Sequence, residues 1–169
     1  MIDEVNGLPA HILLVHAVVV LIPLAGLLTV LAAVWPAARR RIGVITPLVA
    51  LAALIAVPIT TNAGEWLEAR LPPSPLIEEH VRLGDTMLWF AIALFIAALI
   101  AWGLPTAVVR STKRPPAPWV GVVIAVLAVV VAGAATVQVI RVGEAGSRAV
   151  WEGSFCPVPV NAEGTCPAS

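Results

Sequence analysis

The chain has 169 residues, of which 60% are hydrophobic and only 12% are charged. Because a soluble domain is about half apolar and about a quarter charged, this composition indicates a membrane protein and excludes a disordered one. Ten basic and ten acidic residues cancel, so the overall charge that nucleic-acid-binding proteins carry is absent, and we expect no nucleic-acid partner.

Four apolar stretches are each about as long as the roughly 20 residues that a membrane-spanning helix needs. They cover residues 12–35, 42–60, 87–109 and 119–140. The stretches are too long for strands and lack a period-two alternation. The sequence therefore predicts an all-α, polytopic four-helix bundle made of two tandem helical hairpins. Its transmembrane domain is residues 1–151, and residues 152–169 form a short tail outside the membrane.

The basic residues predict how the bundle is oriented. Arg39, Arg40 and Arg41 follow the first span, and Arg110, Lys113 and Arg114 follow the third, with no acidic residue in either turn. Positively charged loops stay in the cytoplasm. We therefore expect a bacterial cytoplasmic membrane protein with both termini on the extracytoplasmic side. The first span follows an acidic flank and is too long for a cleavable signal peptide, so we expect it to be retained.

The loop before the third span contains a helix start. Ser74 is a suitable N-cap, and Pro75 is suited to the first helical position. The third helix is therefore predicted to begin near Pro75, before the membrane, and to carry His80 just above the hydrocarbon edge.

Two cysteines, Cys156 and Cys166, lie in the tail. Their spacing matches neither a metal knuckle nor a thioredoxin-like motif. An extracytoplasmic location permits disulfides, so we predict a disulfide that closes a small loop, with a redox dithiol as the weaker alternative.

The two hairpins resemble each other weakly. In each, a histidine is followed by a tryptophan near the inner end of the helix, a basic turn, and a returning helix that emerges into a Gly-Glu step. The matching residues are His16 with His80, Trp35 with Trp102, and Gly64-Glu65 with Gly143-Glu144. The alignment places both histidines toward the outer side of the membrane.

His16 and His80 are the main candidate site residues. An ionisable side chain within a span is a functional candidate by default. The alternatives for His16 are a proton relay or a neutral imidazole bonded to Thr60, Thr61, Asn62 or Gln138 on another helix. Gly84, one turn from His80, would leave room for a flat cofactor. The alternative for His80 is a solvated histidine beside Glu79. His11 projects about 140° away from His16 on a helix, so it is predicted to be merely interfacial.

These positions suggest three functions. The leading hypothesis is a haem-b-binding or redox-accessory protein with His16 and His80 as axial ligands in the bundle. The second is a non-catalytic structural or assembly protein. The third is metal handling at the outer face by the same imidazoles with three carboxylates. Those carboxylates are Glu65, Glu79 and Asp85.

Several chemistries lack their motifs. The chain has no phosphate-binding loop, no Gly-x-Ser-x-Gly, no His-Glu-x-x-His and no Cys-x-x-Cys. No Asp or Glu falls within a predicted span, which argues against an ion-coupled transporter. The sequence thus favours a non-enzymatic role. Besides the lipid bilayer, the candidate partners are a second copy of the chain and respiratory or redox membrane proteins.

Four segments resemble a widespread bacterial family of four-span membrane proteins that is catalogued only as a domain of unknown function. The segments are Gly7-Leu8-Pro9-Ala10-His11-Ile12-Leu13-Leu14-Val15-His16, Thr61-Asn62-Ala63-Gly64-Glu65-Trp66-Leu67-Glu68, Glu79-His80-Val81-Arg82-Leu83-Gly84-Asp85 and Arg141-Val142-Gly143-Glu144-Ala145-Gly146-Ser147. The chain looks most like the actinobacterial branch, and it has Ile12 where the family usually has proline. The resemblance implies four spans and no established activity. The family's paired histidines suggest a haem-binding or electron-transfer role.

Overall fold

The computed structural model describes residues 4–113 and 117–156. Within these residues the chain forms six helices after a short N-terminal hairpin. The helices are α1 (Ala10–Val34), α2 (Pro36–Ile42), α3 (Ile45–Glu68), α4 (Pro75–Asp85), α5 (Met87–Thr112) and α6 (Pro118–Trp151), and the strands are β1 (Glu4–Val5) and β2 (Leu8–Pro9).

Four of the helical segments are long and apolar enough to cross a membrane, which confirms the predicted four-span, all-α architecture. We take α1, α3, α5 and α6 as the spans. Helices α3 and α6 continue beyond their predicted ends, to Glu68 and Trp151. The polar continuation of α6 is held by packing against α4, a contact that hydropathy does not report.

The third helix begins as the sequence predicts. The Ser74 side chain accepts a hydrogen bond from the backbone N–H of Leu76 at 3.3 Å, and Pro75 occupies the first turn. The helix is interrupted at Thr86, whose hydroxyl donates to the Leu83 carbonyl at 2.7 Å. This one-residue interruption divides the helical segment Pro75–Thr112 into the amphipathic α4, which carries His80, and the apolar α5.

The four spans form a closed square. Helix α1 packs against α3 and α6, and α5 packs against the same two helices. Contacts also join α1 to α5 across the centre of the square. One end of the bundle holds the α1–α3 turn, the end of α5 and the start of α6, and we call it the basic end. The other, the histidine end, holds α4, the start of α1 and the last turns of α3 and α6.

Alanine dominates the core. It accounts for more than half of the buried hydrophobic residues in the described chain. Gly26 on α1 faces Ala132 on α6 so closely that a Cβ added at Gly26 would lie 3.1 Å from the Ala132 Cβ. Small residues at such positions let helix backbones approach each other closely, which is a common basis of helix association in membranes.

A β-hairpin leads into α1 at the histidine end. Strands β1 and β2 pair antiparallel, with Val5 opposite Leu8. The turn residues Asn6 and Gly7 have φ angles of 52° and 77°. A two-residue Asn-Gly turn suits these positive angles and reverses the chain tightly, so α1 begins immediately after the hairpin.

A histidine pair as the candidate functional site

His11 lies in the first turn of α1 and is fixed to α3. Its Nδ1 lies 2.9 Å from the backbone carbonyl oxygen of Thr60. Because a carbonyl only accepts hydrogen bonds, Nδ1 carries the proton and donates it. In the tautomer that makes this hydrogen bond, Nε2 is the ring nitrogen that can act as a metal ligand.

A glycine makes this contact sterically possible. A Cβ built at Gly64 on α3 would lie 3.0 Å from both Nδ1 and Cε1 of His11. That distance is shorter than ordinary van der Waals contact, so any larger residue would displace the ring or the helix. Gly64 thus allows the His11 imidazole to lie against the backbone of α3.

His80 repeats the arrangement in the second hairpin. Its Nδ1 donates to the carbonyl oxygen of Val142 on α6 at 3.0 Å. A Cβ at Gly146 would lie 3.0 Å from Cε1 and 3.1 Å from Nδ1 of His80. In both hairpins the carbonyl precedes the glycine by four residues, or about one helical turn.

These contacts correct the alignment of the two hairpins. The sequence aligned His16 with His80 and Gly64-Glu65 with Gly143-Glu144, whereas the structure gives His11 and Gly64 the same roles as His80 and Gly146. The dipeptides Ala63-Gly64 and Ala145-Gly146 are therefore equivalent, and both alanines are buried. Ala-Gly also occurs at residues 25–26 and 132–133, so the sequence signal for these two glycines is its recurrence in the last turns of both α3 and α6.

The two imidazoles meet at the histidine end. The ring centroids of His11 and His80 lie 6.1 Å apart, and the ring planes are nearly perpendicular, at 82°. Burial lowers the pKa of His80, the hydrogen bond to Val142 opposes this, and nearby His11 lowers it again; the net direction is downward. The neutral form of His80 is thereby favoured, which is the form that binds metals.

His16 is not part of this pair. Its side chain is exposed, and its Nδ1 lies 2.6 Å from the Ile12 carbonyl oxygen of its own helix. The structure therefore brings His80 together with His11, which was predicted to be merely interfacial, and not with His16. The two histidines project about 140° apart on the helix, as the sequence predicted. That angle alone does not determine which of them faces α3 and α4.

The polar residues proposed to bond His16 bond elsewhere. The side chains of Thr60, Thr61 and Asn62 each donate to a carbonyl one turn earlier in α3. The buried Gln138 amide donates to the Thr86 hydroxyl at 2.7 Å and to the Leu83 carbonyl at 3.2 Å. Gln138 therefore ties α6 to the break between α4 and α5.

The other predicted site residues lie apart from the imidazoles or outside the described chain. A Cβ at Gly84 would meet nothing within 4 Å, so the glycine beside His80 is Gly146. The carboxylates proposed as metal ligands, Glu65, Glu79 and Asp85, are all exposed. No group of three or more His, Cys, Asp or Glu residues in the described chain is arranged to hold a metal ion. Cys156 ends the described residues and Cys166 lies beyond them, so their pairing stays a prediction.

Comparison with known proteins gives one match. Residues 7–155 match the model of the family DUF2231, which is described as "predicted membrane protein". No curated protein and no solved structure matches the chain. The matched region includes His11, His80 and both glycines that contact them. This protein belongs to the DUF2231 family of membrane proteins.

Proposed function

We propose that the protein binds haem b at the histidine end of the bundle, with His11 and His80 as axial ligands, and serves as a one-electron carrier. The observation that supports this most strongly is the pair of imidazoles, each with Nδ1 bonded to a backbone carbonyl. Histidines that ligate a metal usually donate their other ring N–H in this way, which fixes the tautomer and the ring orientation.

The spacing of the rings agrees with two axial ligands. A metal lies about 2 Å from each ligating nitrogen, and each nitrogen about 1 Å from its ring centre, so two opposed imidazoles have centroids about 6 Å apart. The centroids of His11 and His80 are 6.1 Å apart. The protein would supply only these two nitrogens, because a porphyrin provides the other four.

The composition of the site favours haem over a bare metal ion. A structural or catalytic metal ion usually takes three or four protein ligands. The described chain brings two imidazoles together without a third metal-binding side chain. A metal ion handled at this face, which is the alternative, would need ligands from water or from another molecule.

We further propose that the histidine end faces the extracytoplasmic side of a bacterial cytoplasmic membrane. The described residues of the basic end include Arg39, Arg40, Arg41, Arg110 and Lys113, and positively charged loops remain in the cytoplasm. In this orientation the haem would exchange electrons with respiratory or redox membrane proteins on the extracytoplasmic side. A Cys156–Cys166 disulfide would lie on that same oxidising side.

The test separates ligation from helix packing. In His80→Asn, the side-chain amide keeps a donor near the position of Nδ1 but removes Nε2, and His11→Asn does the same in the first hairpin. His16→Asn is the matched control because His16 is exposed. Each protein is expressed with ample haem, purified, and measured by absorption spectroscopy and by thermal unfolding.

We expect a Soret band in the wild type and in His16→Asn, and a weakened or lost band in His11→Asn and His80→Asn at nearly unchanged melting temperature. A wild type with no Soret band contradicts the proposal. A Soret band that depends on His16 and not on His11 would contradict the assignment of the ligands.

A second function is favoured by the same hydrogen bonds. Each imidazole joins two helices, α1 to α3 and α4 to α6. The pair would then be a purely structural link in a non-catalytic membrane or assembly protein. In that case the wild type binds no haem, both asparagine variants fold normally, and replacement of either histidine by leucine lowers the melting temperature.

A further inference from the structure

At the basic end, a groove separates the last turns of α1 from the first turns of α6. Its volume is about 420 Å³. It is lined by apolar residues and one arginine from α1, α2, α5 and α6, and Val34, Arg39, Gly121 and Val122 are among them. None of these lining residues is acidic, and Arg39 is the one charged residue among them.

The walls of the groove open toward lipid. Val34 on α1 is 52% exposed and Val122 on α6 is 63% exposed. Since both residues belong to apolar helices that are long enough to span a membrane, we expect their exposed surfaces to contact lipid. An acyl chain can therefore enter the groove from the side without leaving the apolar phase.

Arg39 supplies a fixed positive charge at the polar end of the groove. One guanidinium N–H donates to the Ala32 carbonyl at 3.2 Å, near the end of α1. A guanidinium carries five N–H donors, so four remain for a ligand. Planar, charged donors of this kind match the oxygens of a phosphate group.

Two tryptophans place the groove at the membrane interface. Trp35 precedes α2 and is 58% exposed, and Trp119 begins α6 and is 68% exposed. Exposed tryptophans concentrate at the headgroup level of a bilayer. Arg39 therefore lies at the depth of lipid phosphates, with the apolar walls extending toward the acyl chains.

We propose that this groove binds one anionic phospholipid, with its phosphate on Arg39 and an acyl chain along the apolar wall between α1 and α6. The positive charge, the lack of acidic lining residues and the lateral opening are complementary to this ligand. The site is independent of the haem site, because it lies at the opposite end of the bundle.

The experiment measures which lipid stays bound. The purified protein is incubated in detergent with equal amounts of phosphatidylglycerol and phosphatidylcholine, and retained lipids are counted by native mass spectrometry. Arg39→Gln removes the charge, and Arg40→Gln is its matched control on the same helix. Gly121→Phe fills the groove, and Gly133→Phe is its control elsewhere on α6. A Cβ at either glycine meets nothing within 4 Å, so both variants should fold.

We expect the wild type to retain one phosphatidylglycerol in preference to phosphatidylcholine. Arg39→Gln should lower that preference about fivefold, the effect of removing one basic contact with an anionic lipid. Gly121→Phe should abolish retention, whereas Arg40→Gln and Gly133→Phe should retain the lipid. Added inorganic phosphate should not displace it.

Three results would overturn the proposal. These are equal retention of the two lipids by the wild type, an equal loss in Arg39→Gln and Arg40→Gln, or full retention in Gly121→Phe. The second result would mean diffuse attraction to the basic turns. If Arg39→Gln does not fold, the Gly121→Phe and Gly133→Phe comparison still decides.

Discussion

The two hairpins hold their histidines by the same contacts but support them differently. His11 donates to the Thr60 carbonyl beside Gly64, and His80 donates to the Val142 carbonyl beside Gly146. His11 belongs to a spanning helix, whereas His80 belongs to the short α4, which the break at Thr86 separates from its span.

The difference shows which interactions each imidazole depends on. His11 lies on α1, which packs directly against α3. His80 depends in addition on the attachment of α4, which the buried Gln138 amide provides through its bonds to the Leu83 carbonyl and the Thr86 hydroxyl. Substitutions that weaken the attachment of α4 should therefore alter the position of His80 and leave that of His11 unchanged.

The largest change in the free energy of unfolding is expected at Gly64 and Gly146, where the two hairpins are most alike. Gly64→Leu and Gly146→Leu insert side chains where a Cβ already lies 3.0 Å from an imidazole. Each should lower the free energy of unfolding by about 2 kcal/mol, a typical cost of overpacking. Gly84→Leu is the control and should cost less than about 0.5 kcal/mol, because space is open there.

Chemical unfolding in detergent micelles measures these three variants. If the haem proposal is correct, the Soret band should also weaken in both glycine variants and persist in Gly84→Leu. A large loss in only one of Gly64→Leu and Gly146→Leu would show that the two contacts are not equivalent.

Gln138→Leu tests the attachment that only the second hairpin has. It removes both bonds to the α4–α5 junction and should lower the free energy of unfolding by between about 1 and 2 kcal/mol, as for other interhelical hydrogen bonds in membranes. Hydrogen exchange should rise in α4 and remain unchanged in the first turns of α1. Thr136→Val is the control, because the Thr136 hydroxyl bonds only to its own helix. If Gln138→Leu raised hydrogen exchange equally around His11 and His80, the proposed dependence of His80 alone on the Gln138 bonds would be contradicted.

Ser74→Ala weakens the start of α4 and should have a smaller effect. Loss of the bond from the Leu76 N–H should lower the free energy of unfolding by about 1 kcal/mol, the usual value for an N-cap. Ser111→Ala serves as a control, since that side chain is exposed and caps no helix start. Both are measured by thermal unfolding, and no difference between them would show that α4 is held by packing alone.

The smallest effect is expected in the first hairpin, at Thr46. Its hydroxyl is fully buried in α3 and has no hydrogen-bond partner within the described chain. Thr46→Val removes the unpaired polar group at nearly constant volume and should raise the free energy of unfolding by roughly 0.5 kcal/mol. Thr29→Val is the control, because the equally buried Thr29 hydroxyl donates to the Ala25 carbonyl. A gain in Thr29→Val as large as in Thr46→Val would refute this explanation.

The sequence was sufficient to predict the four spans and the start of α4. Hydropathy over about 20 residues is set by transfer to lipid and needs no knowledge of tertiary contacts. The Ser74 cap is equally local, because a side chain bonds to a backbone N–H two residues ahead. Both predictions are confirmed.

The histidine pair could not be obtained from local patterns. Which side of α1 faces the other helices depends on packing, and α1 is apolar on all sides, so its hydropathy does not distinguish the face of His11 from that of His16. The glycine beside His80 was sought one turn away in sequence, at Gly84, but Gly146 is contributed by another helix. The Ala-Gly dipeptide recurs near the ends of α3 and α6, but it also occurs at residues 25–26 and 132–133, so on its own it does not identify that contact.

The alanine-rich core has a consequence for how the protein tolerates mutation. In most soluble cores, removal of methylene groups is the damaging change, because it leaves a cavity. Here most buried positions are already close to the minimum size, and α1 meets α6 with Gly26 against Ala132. Enlargement should therefore be the damaging change, so a complete mutational scan should show buried positions where glycine and serine survive while leucine and phenylalanine are eliminated.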